Sequence, residues 1–186
     1  MFVNVSGHQL ADPRFPAEVC EIASASGLLE GTLGLEVTES VLIGEADSSM
    51  AVLGELHAIG LRLMLDDFGT GYSSLSHLRR FPLSGVKVDR SFIDGLGDKP
   101  RDIAIMRAIV EMSRALDLTV VAEGVESHPQ LQQLRELDCE RVQGCLLCPP
   151  MGAEELAEFL DERLLTRGPD RARPPVLAPP PWPAPR

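Results

Sequence analysis

The sequence predicts an α/β protein built from repeated strand–helix units around a parallel sheet. Two observations predict it. Short apolar runs of strand length alternate with amphipathic stretches of helical period throughout residues 1–165, which is typical of repeated βα units. Each apolar run also carries or precedes a polar side chain near its C-terminal end, where such folds build their active sites. The 186 residues are enough for about one domain.

Six runs of strand length define the predicted strands, and amphipathic stretches between and after them define five helices. The helices are predicted because apolar residues recur there at the spacing of one helix face. We expect these apolar stripes, including Leu156, Phe159 and Leu160 of the last helix, to pack in the core. The predicted strands span residues 2–6, 33–38, 61–68, 85–89, 118–125 and 141–147, and the predicted helices span 16–26, 48–59, 100–116, 129–137 and 153–165.

Composition and charge narrow the classes of partner. The chain is 44% hydrophobic and 24% charged, with a formal net charge of -11. Because binding of DNA or RNA depends on Lys and Arg side chains that neutralise phosphates, a nucleic acid polymer is a poor partner for this chain. No apolar run is long enough to span a membrane and no signal peptide is recognisable, so we expect a cytoplasmic protein without a membrane segment.

Two further features lie outside the strand–helix pattern. Residues 166–186 form a Pro-rich tail, which we predict to be disordered, with docking to a partner as the alternative. Cys145 and Cys148 form a single C-x-x-C pair. Without a second pair or a nearby His at ligand spacing, this pair is weak evidence for zinc, and we expect reduced thiols.

Polar side chains of ligand type occur on all six predicted strands. One such residue is usually a satisfied buried polar group, but six strands in succession predict an active site, since the C-terminal ends of these strands meet at one edge. On the strands these residues are Asn4, Glu36, Asp66, Asp67, Lys87, Asp89, Glu123 and Gln143, and Glu39 and Glu126 follow two of the strands.

Oxygen donors without His or thiolate favour Mg²⁺ or Mn²⁺ over zinc. Two divalent ions bridged by an Asp can activate a water and stabilise an in-line displacement at phosphorus, which is the general plan of metal-dependent phosphodiester hydrolysis. For Asp66 and Asp67, the alternative is a helix cap or a surface ion pair. The candidate ligands are Asn4, Glu36, Asp66, Asp67 and Glu123.

Lys87 is predicted to act as an ammonium group, because surrounding carboxylates favour its charged form. It would hold the attacking water or a phosphoryl oxygen, with Asp89 on the same face of the strand. A Schiff-base lyase is the alternative. The glycines and hydroxyls that follow the Asp pair, Thr70 among them, can approach a phosphate or cap the next helix. Glu39 either supports this loop or caps a helix.

In their order along the chain, these motifs resemble the EAL domains, a family that hydrolyses cyclic di-GMP. The resemblance covers residues 2 to about 160, and the DDFGTG run is its most specific part. It implies a TIM-like (β/α) barrel, a two-metal Mg²⁺ or Mn²⁺ site, cleavage of cyclic di-GMP to linear pGpG in bacterial signalling, and pairing into homodimers. The matching segments are VNVSGHQL, LEVTES, DDFGTGYSSL, VKVDRSFI, VVAEGVES and VQG.

The resemblance also implies a role for each matching residue. Lys87 would position the water or act as a base, and it would be catalytic together with Asp67 and Glu123. Glu39 would steady the loop after the Asp pair. The implied metal ligands are Asn4, Glu36, Asp66, Asp67 and Glu123, and the residues implied in substrate binding or loop support are Glu39, Thr70, Asp89, Glu126 and Gln143.

The chain departs from the family pattern in two places. The Glu-Ala-Leu segment, whose glutamate is a metal ligand, has no counterpart, and Cys145 stands where the family usually has Tyr. At about 28 residues per unit, eight units need roughly 220 residues. We therefore predict a barrel domain over residues 1–165 that holds about six of eight βα units and lacks the first two, followed by the tail, residues 166–186.

Two functions follow from the resemblance. One is a cyclic di-GMP phosphodiesterase, and the other is a catalytically silent module that binds cyclic di-GMP or a partner protein. Retention of Asp66, Asp67 and Lys87 favours the enzyme, and loss of the naming glutamate favours silence. We expect weak or no turnover by this chain alone, because one metal site lacks a carboxylate and an open barrel exposes strand edges.

Overall fold

Six parallel strands form one sheet, and they lie side by side in the order in which they occur in the chain. A computed structural model describes residues 1–28, 31–44, 46–71, 78–97, 99–139 and 141–166. The α/β fold with six strands is therefore confirmed, although the last two strands are shorter than predicted. The strands are β1 (Phe2–Val5), β2 (Gly34–Thr38), β3 (Arg62–Phe68), β4 (Gly85–Val88), β5 (Thr119–Ala122) and β6 (Arg141–Val142).

Helices connect the strands, and all five predicted helices are confirmed with shifts of one or two residues at their ends. Three short elements were not predicted, because four to six residues show no readable helical period. These are α1 (Gly7–Leu10), α3 (Glu39–Gly44) and a 3₁₀ turn over Arg90–Phe92. The five predicted helices are α2 (Phe15–Ala25), α4 (Ala46–Ala58), α5 (Pro100–Ala115), α6 (His128–Glu136) and α7 (Ala153–Thr166).

Capping boxes fix the start of two helices. Ser6 accepts from the backbone N–H of Gln9, and the Gln9 side chain accepts from the backbone N–H of Ser6 at 3.0 Å. Ser127 and Gln130 make the same pair of bonds at the start of α6. Such reciprocal bonds satisfy two backbone donors that a helix start leaves free. They therefore fix the residues at which the loops after β1 and β5 end and the next helices begin.

The core lies between the sheet and the helices that cover it. Leu53 and Leu56 of α4 and Leu134 of α6 are fully buried, as the helical stripes predict. The stripe of α7 is the exception, because Leu156 and Leu160 remain 42% and 49% exposed. The prediction that this stripe packs in the core was therefore wrong for Leu156 and Leu160, whereas Phe159 is half-buried. Burial of an amphipathic face needs an opposing apolar surface, and in the described part of the chain no strand lies beyond β6 to provide one.

Parallel pairing brings the C-terminal ends of the strands to one edge of the sheet. Asn4 of β1 lies beside Glu36 of β2, and Thr38 of β2 lies beside Asp66 of β3. The pairing of β3 with β4 shifts register between Leu65 and Phe68. This irregularity falls at the Asp pair, so the sheet is locally distorted where the predicted ligands are densest.

Three further predictions concern a membrane segment, the predicted phosphate loop and the tail. Within the described residues, no helix combines the length and the apolar character that crossing a bilayer requires. Residues 72–74 of the predicted phosphate loop lie outside the described residues. The predicted tail also lies outside them, apart from Thr166, which ends α7.

We predict opposite effects for two glycine-to-alanine changes. A Cβ on Gly85 would overlap the backbone oxygen of Thr119 and lie 2.9 Å from the Met64 Sδ. Gly54, inside α4, is exposed and has nothing within 4 Å of such a Cβ. Gly85→Ala should destabilise the fold by about 1–3 kcal/mol through overpacking. Gly54→Ala should stabilise it by about 0.5–1 kcal/mol.

Urea denaturation followed by circular dichroism measures both changes in the free energy of unfolding. Equal midpoints for Gly85→Ala and the wild-type chain would contradict the close packing of β4 against β5.

Candidate active site

Lys87 lies among carboxylates from β2, β3 and the loop after β5 at the C-terminal edge of the sheet. Its side chain is 7% exposed. The Lys87 Nζ lies 2.6 Å from the Glu123 Oε1 on the loop after β5 and 2.8 Å from the Glu36 Oε2 on β2. It lies 3.2 Å from the Asp66 Oδ1 on β3. Because an ammonium has three N–H donors, each carboxylate has one available to it.

Two opposing effects act on the charge of Lys87. Burial disfavours the ammonium form, but the hydrogen bonds that Lys87 donates to Glu123 and Glu36, with the charges of Glu123 and Asp66, outweigh burial and raise the pKa of Lys87 above its usual value. Lys87 is therefore protonated throughout the physiological pH range. A neutral amine, which both a Schiff base and a general base require, is not available at this position.

Asp66 and Asp67 present neighbouring oxygens although they are consecutive residues of a strand. Consecutive strand residues normally point to opposite faces of a sheet. Here Asp67 has a positive φ of 55°, and the register shift lies beside it. As a result Asp66, Asp67 and Glu123 each offer a carboxylate oxygen within 4.8 Å of the others. These three residues together with Glu36 are referred to below as the carboxylate cluster.

The carboxylate cluster carries more negative charge than Lys87 neutralises. Desolvation, followed by the charges of Asp66 and Asp89, raises the pKa of Asp67. Desolvation also raises the pKa of Glu123, and Asp66 and Glu36 add to this effect while Lys87 opposes it. Groups of this kind favour a bound cation, since a divalent ion would stabilise their ionised forms. The residues present therefore fit a hard divalent metal.

Asn4 lies on the first strand of the sheet, and Gln143 directly follows the last strand at the same edge. Asn4 is exposed and adjoins Glu36 in the register of β1 with β2. Gln143 follows β6, where its backbone N–H donates to the Ala122 carbonyl at 2.8 Å and its carbonyl accepts from Val125. Among the described residues, no side-chain hydrogen bond joins either of them to the carboxylate cluster. Both residues lie at the edge of the sheet that carries the cluster, and their predicted place in the site stays a prediction.

Glu39 faces the loop that follows the Asp pair. It is the first residue of α3 and is only 3% exposed. Neither carboxylate oxygen has a hydrogen-bond partner among the described residues. A Cβ on Gly71 would lie 2.7 Å from the Glu39 Oε1, so this side chain packs directly against the loop backbone. In the same loop, the Thr70 hydroxyl donates to the Asp67 carbonyl at 2.9 Å.

Asp89 and Glu126 hold the loops around the carboxylate cluster. The Asp89 carboxylate accepts from the Ser91 N–H at 3.0 Å and caps the 3₁₀ turn. The hydrogen bond with the Ser91 side chain, followed by the backbone bonds, lowers the pKa of Asp89. Glu126 forms an ion pair with Arg90, in which the Arg90 Nη1 lies 2.7 Å from the Glu126 Oε1. Both residues therefore support the site through neighbouring backbone and side chains.

Arg90 is a supporting residue that the sequence reasoning missed. It pairs with Glu126 and Asp94, and its side chain packs on Gly124, where a Cβ would lie 2.6 Å from the Arg90 Cγ. The chain after β4 is thus tied to the loop that carries Glu123. Opposite charges just beyond two predicted neighbouring strands, in VKVDRSFI and VVAEGVES, are the pattern that could have revealed this pair.

Known proteins share this chain's sequence motifs. The model of the family described as "EAL domain" matches residues 1–150. A Pseudomonas aeruginosa protein named "Cyclic di-GMP phosphodiesterase NbdA" is 46% identical over 158 residues, which are 85% of this chain and 20% of that protein. From the same organism, "Bifunctional diguanylate cyclase/cyclic di-GMP phosphodiesterase MucR" is 45% identical over 83% of this chain and 22% of that protein. The chain thus spans about a fifth of the length of these relatives.

Solved structures share the fold as well. The chain resembles "PaMucR Phosphodiesterase, c-di-GMP complex" with a TM-score of 0.78 and 44% identity, covering 83% of this chain and 63% of that one. It resembles the EAL domain of Mycobacterium smegmatis DcpA with a TM-score of 0.82 and 39% identity, over 87% and 72% of the two chains. A manganese and cyclic di-GMP complex of Klebsiella pneumoniae BlrP1 is 33% identical, with a TM-score of 0.74, over 78% and 37%. With the family model matching residues 1–150, the chain belongs to the EAL domain family.

Proposed function

We propose that this chain is the metal-dependent phosphodiesterase module of a signalling protein and that it acts on cyclic di-GMP. The observation that carries the proposal is the convergence of Asp66, Asp67 and Glu123 within 4.8 Å of one another beside a buried, charged Lys87. Relatives whose names include cyclic di-GMP phosphodiesterase, and solved EAL structures in complex with that dinucleotide, support the choice of substrate.

Mg²⁺ or Mn²⁺ is the metal that we propose for the site. Asp66, Asp67 and Glu123 would hold it, and Glu36 and Asn4 would contribute from the adjoining strands as ligands of a second ion. A bound divalent ion supplies Lewis acidity toward a water and a phosphoryl oxygen. Solved relatives in complex with manganese or calcium support a divalent ion in this family.

We propose that Lys87 positions a water or a phosphate oxygen and neutralises negative charge in the site. Its raised pKa keeps the ammonium form, so it can donate hydrogen bonds to a water or a phosphate oxygen but cannot remove a proton. Glu123 and Asp67, the other two residues for which we propose a catalytic role, would hold the metal beside Lys87. The lyase alternative loses support for the same reason, because it requires a neutral Lys87.

Substrate contacts are proposed for residues that surround the carboxylate cluster. Gln143 is exposed at the end of β6, and Thr70 lies in the exposed loop after the Asp pair, so both are accessible to a ligand. Glu39, Asp89 and Glu126 would act by holding loops, which the buried position of Glu39 and the ion pair of Glu126 support. Cys145, also exposed, would line the guanine side of the pocket.

The second candidate function is a module that binds cyclic di-GMP without turnover. It is favoured by a sheet of six strands among the described residues and by coverage of only 63% and 72% of two solved EAL chains. We therefore propose that residues 1–165 supply about six of the eight units of a barrel, followed by the tail, residues 166–186. Pairing into homodimers and a cytoplasmic location stay predictions of the sequence.

Calorimetry and a turnover assay on the 186-residue protein test the proposal. With Ca²⁺ in place of Mg²⁺, we expect heat of binding on addition of cyclic di-GMP, because the ligand-binding edge of the sheet is present. With Mg²⁺, we expect slow or undetectable formation of linear pGpG. Absence of any binding heat would overturn both candidate functions. Turnover at the rate of a complete EAL domain would overturn the proposal that missing units limit activity.

Asp67→Asn tests whether repulsion within the carboxylate cluster destabilises the metal-free fold and whether Asp67 is needed for Mg²⁺ binding. Asn adopts a positive φ readily, and the change removes one repelling charge. At pH 8 we expect the metal-free melting temperature to rise by about 1–3 °C, while stabilisation by Mg²⁺ is largely lost. The pKa of Asp67 is raised in the fold, so protonation is favoured there and the gain should shrink as the pH falls toward that pKa.

Asp117→Asn is the matched control. Asp117 has a φ of 56° and is exposed at the end of α5, where β5 begins, away from the carboxylate cluster. Differential scanning fluorimetry with and without Mg²⁺ should show no such pattern for this variant. An equal gain for both variants would trace the effect to the backbone conformation and would contradict charge repulsion.

A further inference from the structure

Lys87 holds oxygens that a divalent metal would need. We infer that in the metal-free chain the Lys87 ammonium serves as the counter-cation of the carboxylate cluster, and that the first divalent ion to bind displaces it from Asp66 and Glu123. This inference rests on the proposed function, since it concerns the same metal site. It adds that the Lys87 ammonium, a group of the chain itself, competes with the metal for these carboxylates.

Lys87 has as many carboxylate partners as it has N–H bonds. Three carboxylate oxygens lie 2.6, 2.8 and 3.2 Å from the Lys87 Nζ, and an ammonium group has three N–H bonds. The Lys87 side chain is 7% exposed, so water contributes little to its solvation. The carboxylate cluster therefore stabilises the buried charge of Lys87. In turn, Lys87 neutralises part of the charge of the cluster.

Two of the three partners of Lys87 also belong to the candidate metal site. Asp66 and Glu123 offer oxygens within 4.8 Å of Asp67, and both contact Lys87. An ion bound by these residues would lie close to the ammonium, and like charges repel strongly where water is scarce. Metal and ammonium therefore compete for the same two carboxylates.

Glu36 is the partner that Lys87 can keep while only the first ion is bound, since Glu36 would be a ligand of the second. It lies outside the group of three acids that surround the candidate metal position, and its side chain is 12% exposed against 19% for Glu123. The lysine stem is flexible, so a small rotation can retain the Glu36 pair while the other two contacts open. We expect Lys87 to stay ionised throughout this movement.

The sequence permits a direct test, because it contains only two lysines, Lys87 and Lys99. Lysine labelled with ¹³C at Cε gives separate NMR signals for the two, and the exposed Lys99 at the start of α5 is an internal control. On titration of the metal-free 186-residue protein with Mg²⁺ alone, the Lys87 signal should shift in step with binding measured by calorimetry. The Lys99 signal should not move.

Lys87→Met tests the same inference, because the inference predicts the direction in which the affinity for Mg²⁺ changes. Removal of a competitor should tighten Mg²⁺ binding about tenfold, whereas removal of a residue that merely arranges the ligands would weaken it. Lys99→Met, the matched control, should leave the affinity unchanged. Melting curves should show that Lys87→Met loses stability without metal and regains more of it with Mg²⁺ than the wild-type chain does.

The outcomes separate this inference from the proposed function. Calorimetric Mg²⁺ binding with an unmoved Lys87 signal, or weaker binding by folded Lys87→Met, would overturn the inference and leave the metal site intact. No Mg²⁺ binding by the wild-type chain would overturn both. If Lys87→Met does not fold, the NMR titration of the wild-type chain decides alone.

Discussion

The ion pairs of one buried ammonium join four neighbouring strands at the edge of the sheet. Lys87 on β4 contacts Glu36 on β2, Asp66 on β3 and Glu123 after β5. Charges this poorly hydrated are costly unless each is paired, so the strand registers that bring them together are also the registers that make them tolerable. Sheet geometry and site chemistry therefore constrain each other, and neither can shift alone.

The surroundings of this centre reduce its freedom further. Arg90 ties the segment after β4 to the loop that carries Glu123, and Gln130 of α6 reaches back to the Ile93 carbonyl at 3.3 Å. On the other side Glu39 packs against Gly71. The burial and the repulsion between acids that raise the pKa values of Asp67 and Glu123 are thus maintained by contacts outside the cluster. Such pre-positioned charge is what a cation-dependent site requires.

Much of this was readable from sequence because parallel topology is a strong rule. Once six apolar runs alternate with helices, the C-terminal ends of the strands must share an edge, and Glu36, Asp66 and Glu123 must be neighbours. The positive φ of Asp67 was not readable, since it depends on a local register shift. Nor was the exposure of Leu156, because periodicity identifies an apolar face but not the surface that covers it.

The exposed leucines of α7 have a consequence for the stability of the fold. Leu156 and Leu160 together retain much of their water contact, so hydrophobic free energy remains available at the end of the sheet. A molecule that covered them and bound only the folded state would raise the melting temperature in step with its concentration. The free energy of unfolding would then depend on what is bound beside the last helix.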